Sequence, residues 1–138
     1  MTKHQQLILD VHMHNLHEVF NIDKTINIQI HPSEEEFKAS FTGVHPERVY
    51  GAIKNNSSDI IEIHLMWFLF DEQYLEQLNK GHEHKITLED VLVHEFCHYA
   101  LGDGSTVDGS HGPEFQTLLF DKLEEISKLP KRVIRITV

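Results

Sequence analysis

Two histidines and a glutamate within five consecutive residues form the strongest chemical pattern in the chain. His94, Glu95 and His98 make an H-E-x-x-H sequence. In an α-helix, residues four apart lie on one face, so both imidazoles can reach a single metal ion at about 2.0–2.1 Å. A glutamate between them can act as the general base of metal-assisted hydrolysis. The pattern therefore indicates half of a zinc site with a base beside it.

The surrounding residues predict that this pattern lies on a buried helix. Thr87 and Asp90 resemble a capping box, and Gly102 marks the end of the helix. Apolar residues occupy most faces in between: Leu88, Val91, Leu92, Val93, Phe96, Cys97, Tyr99, Ala100 and Leu101. Buried polar side chains need partners, and a metal ion would satisfy all three polar residues of the pattern.

The third ligand of such a site must come from outside this helix, because a catalytic zinc ion usually has three protein ligands. Strict metzincin spacing is absent, since Leu101 and Gly104 occupy the positions of its glycine and third histidine. His111 is the leading candidate, because the polar loop before it can reverse the chain and Pro113 suits the first turn of a second helix. The alternatives are Glu114, Asp103 and Asp108.

These elements together resemble the SprT-like zinc metallopeptidases, which include the Spartan proteases. The resemblance is carried by the H-E-x-x-H helix, the glycine-containing loop and the H-G-x-x-F sequence of residues 111–115, and Gly51 before a strand-like segment extends it. It implies a zinc-dependent metalloendopeptidase that hydrolyses peptide bonds in protein or peptide substrates. Zn²⁺ would activate a water molecule, Glu95 would be the general base, and the ligands would be His94, His98 and His111.

The resemblance also implies where a substrate binds. Zincins hold an extended substrate against an edge strand near the metal helix, and residues 60–65 are the predicted edge. Tyr50 or Tyr99 could donate a second hydrogen bond to the developing oxyanion, and the equal alternative is that both are core aromatics.

Two features of the chain depart from the family pattern. The chain has one cysteine, so it cannot form the C-terminal zinc ribbon that many of these proteins carry. Its formal net charge of −10 disfavours the nucleic-acid binding that the resemblance would otherwise imply. Two other functions stay open. One is an ImmA/IrrE-type metallopeptidase that cleaves a regulator and uses an acidic third ligand, and the other is a non-catalytic binding module stabilised by zinc.

Length and composition predict one soluble domain. A chain of 138 residues, 40% of them hydrophobic, fits a single domain over residues 1–138. The longest apolar run, residues 65–70, is far shorter than the roughly 20 residues that cross a bilayer, so we expect no membrane partner. The N-terminus does not read as a signal peptide, and the lone Cys97 is predicted to be a small buried hydrophobe. Both features favour a cytoplasmic location.

The order of the periodic segments predicts an α+β fold with a small antiparallel sheet, and the family resemblance implies that this fold is zincin-like. An N-terminal helix, a strand, a β-hairpin and a short helix precede the buried H-E-x-x-H helix, and a second C-terminal helix follows it. The predicted ranges are 4–20 for the first helix and 26–30 for the first strand. The hairpin covers 47–54 and 60–65, the short helix covers 71–80, and the C-terminal helix runs from 113 to the residue before Pro130. A last strand or an extended tail is predicted over 133–138.

Overall fold

Helices and strands follow one another along the part of the chain that this computed structural model describes, namely residues 2–39, 51–55, 60–83, 85–101 and 112–129. The elements are α1 (Lys3–Phe20), β1 (Thr25–His31), α2 (Glu34–Ala39), β2 (Gly51–Asn55), β3 (Ile60–Met66), a 3-10 helix (Trp67–Phe70), α3 (Glu72–Leu78), α4 (Leu88–Ala100) and α5 (Pro113–Ser127). This content confirms the predicted α+β class and the four predicted helices α1, α3, α4 and α5. None of the described helices is long and apolar enough to cross a membrane. The strand predicted over 133–138 lies outside the described residues.

The three described strands form a mixed sheet in the order β1-β3-β2. The predicted hairpin is confirmed, because β2 and β3 pair antiparallel, with Ile53 opposite Ile63. The prediction of an antiparallel sheet is wrong for β1, which pairs parallel to β3 with Ile28 opposite Ile63. Parallel neighbours need a long connection, and here α2 and β2 lie between the two strands in sequence.

The two faces of the sheet pack against different helices. Side chains alternate along β3, so Ile61, Ile63 and Leu65 are completely buried on one face and Glu62 and His64 lie on the other. Helix α4 packs against β2, and α2 packs against β1 and β3. The face of Ile63 forms the main core with α4, and the face of His64 lies under α2.

Helix α4 begins as its sequence predicts and is buried along most of its length. The Thr87 hydroxyl accepts a hydrogen bond from the Asp90 amide at 3.1 Å. Just before it, the Asn79 side chain donates to the Ile86 carbonyl oxygen at 2.8 Å and accepts from the Ile86 amide at 2.7 Å. These bonds fix the chain that leads into the helix. Four α4 side chains are fully buried: Leu92, Val93, Phe96 and Cys97.

Gly51 determines how closely β2 approaches α4. A Cβ atom at this position would lie 2.7 Å from Cγ1 of Val91 and 3.2 Å from the carbonyl oxygen of His64. Val91 is β-branched and cannot rotate freely in a helix. We therefore expect Gly51→Ala to destabilise the protein by about 1–3 kcal/mol, measured by urea unfolding. Gly51→Ala should lower the free energy of unfolding less in a Val91→Ala variant than in the parent. If the effects of the two substitutions on this free energy add within about 0.5 kcal/mol, the contact is contradicted.

Candidate metal centre

His94 and His98 lie one turn apart on α4 with their rings close together. Their Nε2 atoms are 3.2 Å apart, and the ring centroids are 4.8 Å apart with 71° between the ring planes. Helix geometry places side chains at i and i+4 on the same face, so this proximity follows directly from the spacing in sequence.

The two nitrogens have the separation that a shared metal ion requires. Zn–N bonds of 2.0–2.1 Å at a tetrahedral angle place two ligand nitrogens about 3.3 Å apart. The observed separation is 3.2 Å. A cation between the two Nε2 atoms would replace their shared proton and leave each ring protonated on Nδ1, the tautomer that a neutral imidazole ligand needs. His94 and His98 therefore fit one edge of a tetrahedral metal site.

Phe115 of α5 packs against both histidine rings. Its ring stacks on His98 with centroids 4.4 Å apart and 28° between planes, and it meets His94 at 4.9 Å and 66°. The Phe115 side chain is only 1% exposed. Phe115 is the phenylalanine of the H-G-x-x-F sequence. The contact of its ring with both imidazoles is visible only in the tertiary structure. This packing limits the movement of both rings, which favours a preorganised site for a metal ion.

Glu95 lies between these histidines in sequence and is itself buried, with 8% of its surface exposed. Burial raises the pKa of the Glu95 carboxyl from its ordinary value of 4.5 to about 8, because the ionised form loses its hydration. Without a cation nearby, the carboxyl is therefore protonated at neutral pH. A cation held by His94 and His98 would lower the pKa again and restore the carboxylate that a general base must be.

The buried carboxyl predicts an unusual pH dependence for the metal-free protein. Its pKa is higher in the folded than in the unfolded chain, so the folded state binds more protons and stability falls as pH rises from about 4.5 to 8. We expect Glu95 to contribute a loss of roughly 5 kcal/mol across this window. Glu95→Gln should remove that contribution. Urea unfolding of both proteins with a chelator present tests this, and parallel pH profiles would contradict it.

The predicted third ligand, His111, lies outside the described residues, as do Asp103 and Asp108. Gly112, directly after His111, is the N-cap residue of α5, and Phe115 follows in the first turn of that helix. Among the described residues, no group of three or more His, Cys, Asp and Glu side chains could hold a metal ion. The alternative ligand Glu114 is exposed and does not join His94 and His98. His111 as the third ligand therefore stays a prediction.

Two other side chains of α4 have surroundings that limit their roles. Cys97 is fully buried, as predicted, and burial raises the pKa of its thiol to about 11. It is therefore not a thiolate at neutral pH. The ring of Tyr99 lies 5.3 Å from the ammonium group of Lys24. Tyr99 stays a prediction as an oxyanion donor, and Tyr50 lies outside the described residues.

The predicted substrate edge is wrong. Residues 60–65 belong to β3, which has β1 on one side and β2 on the other. Both edges of β3 are therefore occupied by hydrogen-bonded neighbours. The alternation of isoleucines correctly predicts a strand, but the sequence pattern does not reveal the order of strands in a sheet. Of the three described strands, β2 is the edge strand that packs against α4.

Searches of protein-family models, curated proteins and solved structures found no match to this chain. The resemblance to the SprT-like family therefore depends on the sequence motifs alone, namely the H-E-x-x-H and H-G-x-x-F sequences, the glycine-containing segment between them and Gly51.

Proposed function

We propose that this protein is a zinc-dependent metalloendopeptidase of the SprT-like kind, which hydrolyses peptide bonds in protein substrates. The observation that supports this most is the pairing of His94 and His98, whose Nε2 atoms are 3.2 Å apart on the helix that also carries the buried Glu95. His111 completes the proposed set of ligands, because it precedes the first turn of α5, from which Phe115 reaches both histidine rings.

Each residue of this site has a distinct role in the proposed reaction. Zinc bound by three neutral imidazoles would supply a Lewis acid that keeps its full positive charge. Glu95 accepts a proton from the attacking water molecule and passes it to the leaving amine. Its burial strengthens these interactions, because little water screens them.

Phe115 acts as a positioning residue in this proposal. Its ring contacts His94 and His98 and is almost completely buried. An imidazole that is already held in the geometry of the bound state loses less freedom when it binds a metal ion. The packing of α5 on α4 is therefore part of the proposed metal site.

An extended protein segment is the proposed substrate, and β2 is the proposed place for it. This strand lies at the edge of the three described strands and packs against α4, the helix that carries the histidines. Pairing through backbone groups places little demand on sequence, so it suits unfolded protein chains. The net charge of −10 disfavours nucleic acid as a partner. The single cysteine cannot form a disulfide within the chain, which suits a reducing compartment. We therefore propose a cytoplasmic location.

Removal and return of zinc test this function. We expect the chelated protein to bind one Zn²⁺ per chain in a calorimetric titration and to regain hydrolysis of an unfolded protein, followed on gels. His98→Ala should lose both properties. His14→Ala is the matched control, because His14 is an exposed histidine that pairs with Glu18 on α1 at 3.0 Å.

Three outcomes of this experiment are informative. Hydrolysis that survives chelation would overturn the proposal. Equal zinc binding by His98→Ala and His14→Ala would do the same. Stoichiometric zinc binding without hydrolysis of any unfolded protein would instead favour the zinc-stabilised binding module.

A further inference from the structure

A second pair of histidines lies buried on the sheet face opposite the main core. His31 at the end of β1 is 7% exposed, and His64 in the middle of the sheet is 2% exposed. Nε2 of His31 lies 2.7 Å from Nδ1 of His64, and the rings are nearly parallel, with 12° between their planes. Nε2 of His64 lies 3.4 Å from Oε2 of Glu62. These three side chains form a connected chain of titratable groups that is separate from the candidate metal centre.

The carboxylate determines how protons are arranged along this chain. A carboxylate can only accept hydrogen bonds, so the proton of His64 lies on Nε2 and points to Glu62. Nδ1 of His64 must then accept, and Nε2 of His31 donates to it. In this arrangement both rings are neutral, and Nδ1 of His31 is the nitrogen that takes up the next proton. A further proton on His64 would have to occupy Nδ1, where it would break the bond to His31.

Helix α2 packs on this pair through Phe37. The Phe37 side chain is 2% exposed and meets both imidazoles edge-on, with centroids 5.3 Å from His31 and 6.5 Å from His64. A helix of six residues is too short to be stable alone. Its first turn is closed by Ser33, whose hydroxyl accepts from the Glu36 amide and whose carbonyl accepts from the Phe37 amide. Phe37 and the histidine pair therefore link α2 to the sheet.

We propose that the chain of His31, His64 and Glu62 is an acid-sensitive latch, which holds α2 on the sheet at neutral pH and releases it as the pH falls. Protonation of His31 places a charge at a nearly buried site, and protonation of His64 on Nδ1 breaks the bond between the rings. When α2 leaves, both rings reach water and accept protons freely. Protons therefore favour the open state.

The charged groups around the pair set the pH range of this latch. Among the described side chains they are Glu36 from α2, which attracts His31, and Glu62 from β3, which lies 3.4 Å from His64. Burial lowers the pKa of His31 below its ordinary value of 6.5, and the attraction of Glu36 offsets only part of that effect. Since the closed state disfavours the protonated imidazole, the stability of the closed state is complete above about pH 6.5 and falls below it.

Hydrogen exchange of the intact protein tests the latch. The Glu36 and Phe37 amides are bonded to Ser33 and report on α2 directly. We expect their protection factors, corrected for the intrinsic pH dependence of exchange, to fall by up to about tenfold per pH unit between pH 6.5 and 5.5. Amides in the centre of α4 should not lose protection over the same range, because a lower pH favours the protonated, buried carboxyl of Glu95. Constant protection at Glu36 and Phe37 would overturn the proposal.

Two further measurements separate the latch from general acid instability. His31→Gln keeps a possible donor for His64 but removes the first titrating ring, so the pH response of α2 should weaken, whereas His14→Gln should respond as the parent does. An unchanged response in His31→Gln would contradict the latch. The parent alone provides the second measurement by NMR. The His31 imidazole should titrate below pH 6.5, and a midpoint at or above that value would also overturn the proposal.

Discussion

Replacement of Glu95 by glutamine is expected to reduce hydrolysis of an unfolded protein by about 10²–10⁴-fold, the usual contribution of a general base. Glutamine has nearly the same shape but cannot accept the proton of the attacking water molecule. Zinc binding should persist, because the proposed ligands are histidines. Steady-state cleavage and calorimetric zinc titration of the same preparation measure the two properties separately.

Glu89→Gln is the matched control for this variant. Glu89 lies on the same helix, 3.5 Å from His12, and its side chain is 39% exposed. The Glu89→Gln substitution removes the same charge from α4 but at a distance from the proposed site. Hydrolytic activity should therefore stay at the parent level. If Glu95→Gln hydrolyses at the parent's rate, Glu95 is not the base. If both variants lose activity equally, the loss reflects the charge of the helix and not proton transfer.

Replacement of His111 by alanine is expected to weaken zinc binding by about 10²–10³-fold. The binding free energy of zinc at a structural site with four ligands is roughly 10–16 kcal/mol. One ligand therefore contributes about 3–4 kcal/mol. Competition with a chromophoric chelator measures this change. Hydrolysis at a fixed zinc concentration should fall in parallel, because a smaller fraction of the protein then carries zinc.

Variants at the other acidic candidates decide between the two kinds of peptidase. Asp103→Asn, Asp108→Asn and Glu114→Gln should each bind zinc as the parent does. A large loss in one of the aspartate variants, with His111→Ala unaffected, would place an acidic residue in the third position and favour the ImmA/IrrE-type alternative. Glu114→Gln serves as the closest control, because Glu114 is exposed three residues after His111.

Local sequence was sufficient to predict how the candidate metal-site residues of α4 are arranged. The Thr87 cap and the apolar run define the start and the burial of this helix, and the spacing of His94 and His98 then places both rings on one face. The same kind of information predicted α1, α5 and the hairpin of β2 and β3. In each case the deciding interactions join residues close together in sequence, so residue type and periodicity are enough.

The features that sequence did not reveal depend on contacts between distant segments. The pairing of β1 with β3, which places β3 in the centre and overturns the predicted substrate edge, joins Thr25 to Ile60. The bond between His31 and His64 spans 33 positions. The stacking of Phe115 on His98 requires α5 to pack back against α4.

The amino-acid sequence by itself therefore determined which side chains could do chemistry and which turns of helix carry them, because backbone geometry converts spacing into direction over a few residues. Only the tertiary structure decided which strand lies at the edge, which ring supports the histidines and which second pair of imidazoles is buried. Those outcomes follow from the packing of apolar faces against one another, and many chain paths satisfy the same local pattern until that packing selects one.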